Sequence, residues 1–390
     1  MNANARRGAV IGLAVLIVAG IVAAIVWGRS AGGDTADAGS HALTMVTGVI
    51  GSEKQPFFSD AAVKKEFAKN GLDVEVTTAG SRAIATTVDL TGVDFAFPSS
   101  APAAIKLQQK TGAKTVYAPF YSPMAIASFT PIVALLAKEG IAKQGPNGTW
   151  LFDMGAYLQK TVDATDPLRW NQIPGNTSYA TNKNVLLSST DVRSSNSAGM
   201  YLAIASYVAN GDNVVSSDPE QARIIDRLAK LFLDQGFSAS SSEDPWQDFL
   251  SQGVGSKPIL MIYEAHLLGQ EVTDHDTGTT AVTDDMVLMY PTPTVFSKHT
   301  VVPLTASGDK VGRLLMTDPK LIELAARYGF RTNDPSAFAT ALKAHGVAAP
   351  ALPVDVIDPP SYERLEALID DISDRYPGGA KSSPTPTPNP

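Results

Sequence analysis

The sequence predicts an α/β protein with parallel-rich sheets arranged in two lobes. Extended apolar runs alternate with helical patterns over residues 43–109, in the order strand, helix, strand, helix, strand. Strands joined through helices lie parallel and are connected by right-handed crossovers. Two Pro-containing segments, 119–131 and 291–300, are predicted to cross from the first lobe to the second and back. Two such crossings predict a hinge between the lobes.

The predicted first lobe consists of three strands and the helices that follow them. The strands are 43–50, 74–78 and 93–97, and the third helix is 101–109, with Pro102 in its first turn. A helical pattern of Phe and Val residues follows the first strand. Because the carboxyl ends of parallel strands meet at one sheet edge, the three turns after these strands are expected at the same edge.

The predicted second lobe contains the extended runs 184–187, 258–263 and 286–290 and a helix over 198–210. A last helix is predicted over 362–376, because apolar residues recur there at helical spacing. This closing helix is expected to pack on a lobe of the same molecule.

Four apolar runs end in short turns rich in Ser and Gly, at 51–53, 80–82, 98–100 and 193–197, before a helical pattern begins. Such turns direct hydroxyl and free backbone N–H groups toward a small polar ligand. The candidate ligand-binding residues are Ser52, Glu53, Ser81, Arg82, Ser99, Ser100, Arg193, Ser194, Ser195, Asn196, Ser197 and Tyr263. A single Ser or Asn at such a position is an ordinary helix N-cap, so the prediction depends on the convergence of all four turns.

The charge of the ligand is left open by these residues. Hydroxyls, backbone N–H groups and helix N-termini suit a small oxyanion, and Arg82 or Arg193 could pair with it through two hydrogen bonds. Glu53, if it pointed into the cleft, would repel an anion and favour a ligand with an amine or hydroxyl groups.

Composition excludes several classes of site. The absence of Cys excludes a disulfide, a Cys-zinc site, a Cys nucleophile and a lipidated Cys. A net charge of −8 without a basic cluster indicates that nucleic acid is not a partner. No catalytic or cofactor motif is present, so neither an enzyme nor a cofactor is predicted.

Two further polar segments are interpreted as structural. The acidic segment 271–285 is predicted to be a solvated hairpin, because its spacing matches no Ca²⁺-binding loop, and no metal ligand is assigned. His266 lies only two positions from Glu264 and need not share its face. It is therefore interpreted as a hydrogen-bonded structural histidine.

The N-terminal residues predict a membrane anchor. Residues 8–28 are apolar and uncharged and are about as long as a membrane-spanning helix, and Arg6 and Arg7 precede them. The bulk of the chain is therefore expected outside the cytoplasm. The alternative is a cleaved signal peptide with a small-x-small site at 36–38. The Pro/Thr-rich residues 378–390 are predicted to be disordered.

Four stretches, in their order along the chain, resemble those of the type II periplasmic solute-binding proteins that serve as receptors of ABC transporters. Within that group, the resemblance is to the phosphate-, sulfate- and molybdate-binding proteins. These stretches are 94–100, 194–197, 257–264 and 328–331, and the resemblance covers roughly residues 43–350. In that family the ligand lies between the lobes at helix N-termini. The resemblance thereby implies a pocket that contains Ser52, Ser81, Arg82, Ser99, Ser195, Asn196 and Ser197.

A narrower resemblance is to membrane-anchored actinobacterial solute-binding-like proteins. It is carried by residues 51–54 with Phe57 and Phe58, followed by 80–82. Periplasmic receptors are usually released or lipidated, whereas this chain has a predicted helical anchor and a Pro/Thr tail. That departure puts a direct role in transport in doubt.

Together these observations predict a membrane-anchored extracytoplasmic protein that binds a small polar or anionic solute by hinge closure. A membrane-protein partner is a further expectation. The alternative is a ligand-free interaction or sensory ectodomain that keeps the fold and binds a protein partner, and a third class is an unrecognised hydrolase. The predicted organisation is a cytoplasmic N-terminus 1–7, a transmembrane signal anchor 8–28, a linker 29–42, lobe 1 at 43–118 and 301–348, crossings 119–131 and 291–300, lobe 2 at 132–290, a C-terminal helix region 349–377 and a tail 378–390.

Overall fold

The computed structural model of the protein describes residues 42–145, 148–236, 238–255 and 257–377. The predicted anchor 8–28 and the predicted tail 378–390 lie outside the described residues. Within the described ranges, none of the helices combines the length and the apolar character that crossing a membrane requires.

The first half of the described chain alternates between strands and helices. Its elements are β1 (Thr44–Ile50), α1 (Gln55–Ser59), α2 (Ala61–Lys69), β2 (Leu72–Thr78), α3 (Ser81–Thr86), β3 (Phe95–Phe97), α4 (Ala101–Thr111), β4 (Tyr117–Phe129), α5 (Thr130–Lys138), β5 (Ala142–Gln144), β6 (Trp150–Asp153) and α6 (Met154–Thr161). The strands predicted at 43–50, 74–78 and 93–97 are confirmed within a few residues.

The second half is richer in helices. Its elements are α7 (Asn196–Ala209), α8 (Asp218–Leu233), α9 (Glu243–Gln252), β7 (Ile259–Tyr263), α10 (Glu264–Thr277), β8 (Met286–Thr292), β9 (Thr294–Pro303), α11 (Ala306–Thr317), α12 (Pro319–Arg327), β10 (Arg331–Thr332), α13 (Pro335–Ala344), β11 (Val356–Ile357) and α14 (Tyr362–Ser373). The predicted helix at 198–210 and the predicted closing helix are therefore confirmed.

The strands pair in the order β2-β1-β3-β9-β4-β8-β6-β5, with β7 and β10 also paired to β4 and β11 paired to β9. Strands β1, β2 and β3 are parallel, as predicted, with Thr44 opposite Leu72 and Gly48 opposite Phe95. Strand β9, which comes late in the sequence, lies antiparallel between β3 and β4. The sheet edge after β1, β2 and β3 thus collects the three turns that follow these strands.

Strand β4 belongs to two parts of the sheet. Its first residues pair with β9, and its last six residues, 124–129, pair with β7 and β8. The sequence predicts an interlobe crossing over residues 119–131, because the apolar run there is too long for one strand and too interrupted by Pro for one helix. The register shift between Tyr117 and Phe120 places Pro119 outside the regular ladder, whereas Pro123 stays in it opposite Phe296 without an N–H to donate.

Two large groups of buried side chains form the main cores, in keeping with a two-lobed architecture, and two small groups accompany them. The smaller of the two main cores surrounds β1–β3 and includes Phe58, Phe95 and Leu324. The larger main core surrounds α7 and β7 and includes Leu202 and Ile262. The precise residues at which one lobe passes into the other stay a prediction.

Three local predictions were wrong. The pattern of Phe57, Phe58, Val63 and Phe67 after β1 predicts one helix, but the helix is broken at Asp60, which is extended and whose carboxylate accepts hydrogen bonds from the first N–H groups of α2. Residues 184–187 do not form a strand, and among them only Asn184 makes an isolated bridge, to Arg169. The segment from Glu271 to Thr277 is not a hairpin but the end of α10, because Leu268 and Val272 continue its buried face.

Candidate functional site

The turns after β1, β2 and β3 face the N-terminus of α7 across a cavity of about 230 Å³. We call it the serine-lined cavity. Its walls consist of Gly51, Ser52, Glu53, Thr78, Ala79, Gly80, Ser81, Ala83, Ser99, Ser194, Ser195, Asn196, Ser240, Ser241, Ser242 and Tyr263. Eight of the predicted residues therefore line one cavity, namely Ser52, Glu53, Ser81, Ser99, Ser194, Ser195, Asn196 and Tyr263. Their contact with a ligand stays a prediction.

Both predicted arginines lie outside this lining, because their guanidinium groups are engaged elsewhere. Arg82 pairs through Nε with Glu366 at 2.7 Å and through Nη2 with Asp370 at 2.9 Å, both on α14. Arg193 pairs with Asp191, with Nη2 2.5 Å from Oδ2. The geometry therefore gives no support to the predicted pairing of either arginine with an anion.

Ser100 and Ser197 also lie outside the lining and have structural partners. The Ser100 hydroxyl caps α4 by accepting from the N–H of Ala103 at 3.2 Å. Ser197 Oγ is 2.8 Å from Thr190 Oγ1 and 3.1 Å from Ser195 Oγ. At these two positions the helix-cap or packing interpretation explains the residue without a ligand.

Hydrogen bonds hold the turns of the cavity against one another. The N–H of Ser99 donates to Ser81 Oγ at 2.8 Å, which joins the turns after β2 and β3. The Asn196 amide lies 3.2 Å from the carbonyl of Ser99 and 3.0 Å from Tyr263 Oη. The N-terminus of α7 is thereby fixed to the opposite wall. A Cβ added at Gly51 would lie 2.2 Å from Ser99 Oγ, so this close approach requires glycine.

Beneath the cavity lies a buried cluster that the sequence analysis missed. Lys54 Nζ is 2.5 Å from Glu53 Oε1, 2.8 Å from Ser99 Oγ and 3.1 Å from His299 Nδ1. Ser99 Oγ in turn donates to Glu53. Lys54 was visible beside Glu53 in the first turn, but His299 is 245 residues away from it and no local pattern marks it.

The opposite charges of Glu53 and Lys54 compensate each other within this cluster. Burial acts to raise the pKa of the Glu53 carboxyl, but Lys54 and then His299 hold that pKa well below its usual range. Burial lowers the pKa of Lys54, and attraction to Glu53 opposes that shift. Burial and repulsion from Lys54 lower the pKa of His299 to about 4. Glu53 and Lys54 are therefore a charged pair beside a neutral His299.

A fifth serine turn also reaches the cavity. Ser240, Ser241 and Ser242 precede α9, and Ser241 Oγ donates to Ser52 Oγ at 3.1 Å. In the sequence, this turn is a Ser-rich segment before a helical pattern. It was not predicted as part of the site because no apolar run precedes it.

A smaller cavity of about 80 Å³ shares Glu53 with the serine-lined cavity. His266 lines it, and both of its buried ring nitrogens lack a hydrogen-bond partner among the described residues. The prediction of a hydrogen-bonded histidine was therefore wrong. Glu264 is not its partner, because Arg331 binds that carboxylate through Nε at 2.6 Å and Nη2 at 2.9 Å.

Several solved structures of binding proteins have a similar architecture. The sulfate-binding protein SubI from Mycobacterium tuberculosis matches with a TM-score of 0.50 and 18% identity, over 80% of this chain and 93% of that one. The periplasmic binding protein AfuA from Actinobacillus pleuropneumoniae, with exogenous fructose-6-phosphate bound, matches with a TM-score of 0.50 and 13% identity, over 85% and 98%. A ferric binding protein from Campylobacter jejuni matches with a TM-score of 0.51 and 10% identity, over 84% and 99%.

No family model matches the sequence, and neither does any curated protein. The likeness is therefore one of fold. At such low sequence identity, a shared fold does not identify the ligand of this protein. The element order, the two cores and these structural matches agree, and the chain has the two-lobed type II periplasmic-binding-protein fold that its sequence resembles.

Proposed function

We propose that this protein is an extracytoplasmic solute-binding protein that closes around a small polar solute in the serine-lined cavity. The observation that carries the proposal is the convergence of Ser and Asn side chains from five separate turns on one cavity of about 230 Å³. Ser and Asn residues that only cap separate helices would have no reason to line one cavity together. Binding rather than catalysis is further supported by the related fold of the binding proteins described above.

A small oxyanion is the solute class that the wall chemistry favours. The hydroxyl and amide groups are neutral donors, and the N-terminus of α7 contributes a partial positive charge. An uncompensated Glu53 carboxylate facing the cavity would repel an anion. Its carboxylate is 2.5 Å from Lys54 Nζ, so the wall that contains Glu53 presents a compensated pair instead of a free negative charge.

The apolar residues 8–28 are proposed to hold the protein at the cell membrane as a single-pass anchor. The support is their length, their lack of charge and the arginines that precede them. The remaining chain would then stand outside the cytoplasm, where the solute is captured.

The test is a thermal-shift and calorimetric screen of the full chain in detergent micelles against sulfate, phosphate, molybdate, neutral sugars, amino acids and ammonium. A ligand that binds only the folded protein raises the melting temperature. We expect one oxyanion to do so, and we expect Ser52→Ala and Ser195→Ala each to weaken its binding by about tenfold or more, since each removes a hydrogen bond to a charged group.

Arg193→Ala is the matched control, because Arg193 is also a predicted residue but lies outside the cavity lining. It should bind the oxyanion as the native chain does. If a neutral solute raises the melting temperature and no oxyanion does, the binding role stands and the oxyanion proposal is rejected. If no solute in the panel binds, the interaction ectodomain becomes the better hypothesis.

A further inference from the structure

Three side chains that commonly bind metals meet on the surface, where α10 and α13 end. His275 and Asp276 are in the last turn of α10, and His345 directly follows α13. One ligand atom from each lies within 4.8 Å of the other two. His345 Nδ1 is 2.6 Å from Asp276 Oδ1, and His275 Nδ1 is 3.4 Å from the same oxygen. The fold brings them together, since Asp276 and His345 are 69 residues apart.

The surroundings orient these side chains. Arg327, the last residue of α12, binds the other carboxylate oxygen of Asp276 with Nη2 at 2.8 Å. This contact leaves Oδ1 directed at the imidazoles. Gly346 follows His345, and a Cβ there would lie 2.9 Å from His275 Cδ2. Glycine at 346 therefore gives the His275 ring room against this turn.

The electrostatic setting favours a cation. Helices α10, α12 and α13 all end here, and each helix C-terminus carries a partial negative charge. The Asp276 carboxylate adds a full negative charge. Arg327 compensates part of it, which limits the affinity that a metal ion can reach.

We propose that His275, Asp276 and His345 bind one Zn²⁺ ion, with water as the fourth ligand. Two imidazole nitrogens and one carboxylate oxygen are a ligand set that suits tetrahedral zinc. Ligand atoms bound to one such ion lie about 3 to 3.5 Å apart. To reach that spacing the 2.6 Å contact between His345 Nδ1 and Asp276 Oδ1 would lengthen, and the half-exposed His275 side chain would rotate. The ion would join the end of α10 to the turn after α13.

The proposal does not depend on the solute-binding role, because none of the three residues lines the serine-lined cavity. Calorimetric titration of the untagged full chain with ZnCl₂ should show one saturable site, and Zn²⁺ should raise the melting temperature while Mg²⁺ does not. Co²⁺ in place of zinc should give the visible absorption of a tetrahedral complex.

His275→Gln and His345→Gln should each weaken Zn²⁺ binding at least tenfold, and the double variant should abolish it. Glu323→Gln removes an exposed carboxylate of α12 that is not part of the cluster and should leave Zn²⁺ binding unchanged. Absence of saturable Zn²⁺ binding would overturn the proposal, as would equal affinity in the native chain and both histidine variants.

Discussion

At the scale of single residues, Glu53, Lys54 and His299 bring a carboxylate, an ammonium and an imidazole together where water has little access. Their side chains are 6%, 0% and 0% exposed. His299 Nδ1 lies 3.1 Å from Lys54 Nζ and 3.3 Å from Glu53 Oε1, so one ring nitrogen contacts both charged partners. Removing one member of such a cluster leaves the others without compensation, which costs more than the cluster contributes as a whole.

The neutral His299 predicts that the protein loses stability on mild acidification. The pKa of His299 is about 4 in the folded chain and 6.5 in an unfolded one. Between these values the unfolded state binds a proton that the folded state does not, so the free energy of unfolding falls as the pH falls. One such proton corresponds to about 1.4 kcal/mol per pH unit.

Urea unfolding between pH 7.5 and 4.5 measures this slope. His299→Gln should reduce it by up to about 1.4 kcal/mol per pH unit. His266 is the matched second site, because burial lowers its pKa as well, and His266→Gln should reduce the slope in the same direction. The lowered pKa of Glu53 contributes stability that begins to be lost as the pH approaches the 4.5 of an unfolded carboxyl, so Glu53 adds to the slope only at the acid end of this range. Identical slopes in all three chains would contradict the prediction.

At the scale of elements, the C-terminal helix α14 joins parts of the molecule that surround the serine-lined cavity. Its Leu368 and Ile372 are buried in the larger core, and the helix contacts α4, α7 and α8. Glu366 and Asp370 on its other side bind Arg82 of α3. Arg82 thus contacts the closing helix through two carboxylates.

Arg82→Ala should lower the free energy of unfolding by about 1 kcal/mol, because the lost contacts are charge-assisted but partly exposed. Asp218→Asn is the control, because it alters another ion pair of α14. It breaks the contact of Arg364 on α14 with a carboxylate that is 92% exposed, and its cost should be near zero. If the two substitutions lower the free energy of unfolding in urea by the same amount, the Arg82 contacts contribute no more than an exposed ion pair.

The elements that the sequence predicted well are those fixed by local chemistry. The parallel strands β1 to β3 and the serine turns after them follow from alternating apolar residues and turn residues. The path of β4 and the isolated bridges near residue 184 depend on distant pairing partners, and no local pattern reports these. The candidate site divides in the same way. Ser52 and Ser99 were predicted from their own turns, whereas His299 enters the cluster only through strand β9.

At the scale of the whole molecule, the two walls of the serine-lined cavity come into close contact at Gly80. A Cβ added there would lie 2.2 Å from the carbonyl oxygen of Ser194. Since backbone does not yield as a flexible side chain does, only glycine permits this approach. The described conformation therefore depends on the absence of one methyl group.

Gly80→Ala should push the walls apart. We expect a larger radius of gyration by small-angle X-ray scattering and solute binding weakened at least tenfold, because the donors of α7 move away from the opposite turns. Gly255→Ala is the control, since an added Cβ there meets nothing within 4 Å. If Gly80→Ala scatters and binds like the native chain, the closure at this contact is not required for binding.

The position of β9 has a consequence for how the chain is made. This strand, residues Thr294–Pro303, lies between β3 and β4, which are synthesised much earlier. Until it emerges, the nascent chain presents the unpaired edge of β3 next to the apolar residues Phe95 and Phe97. A protein truncated before residue 294 should therefore aggregate through that edge instead of forming a smaller folded unit.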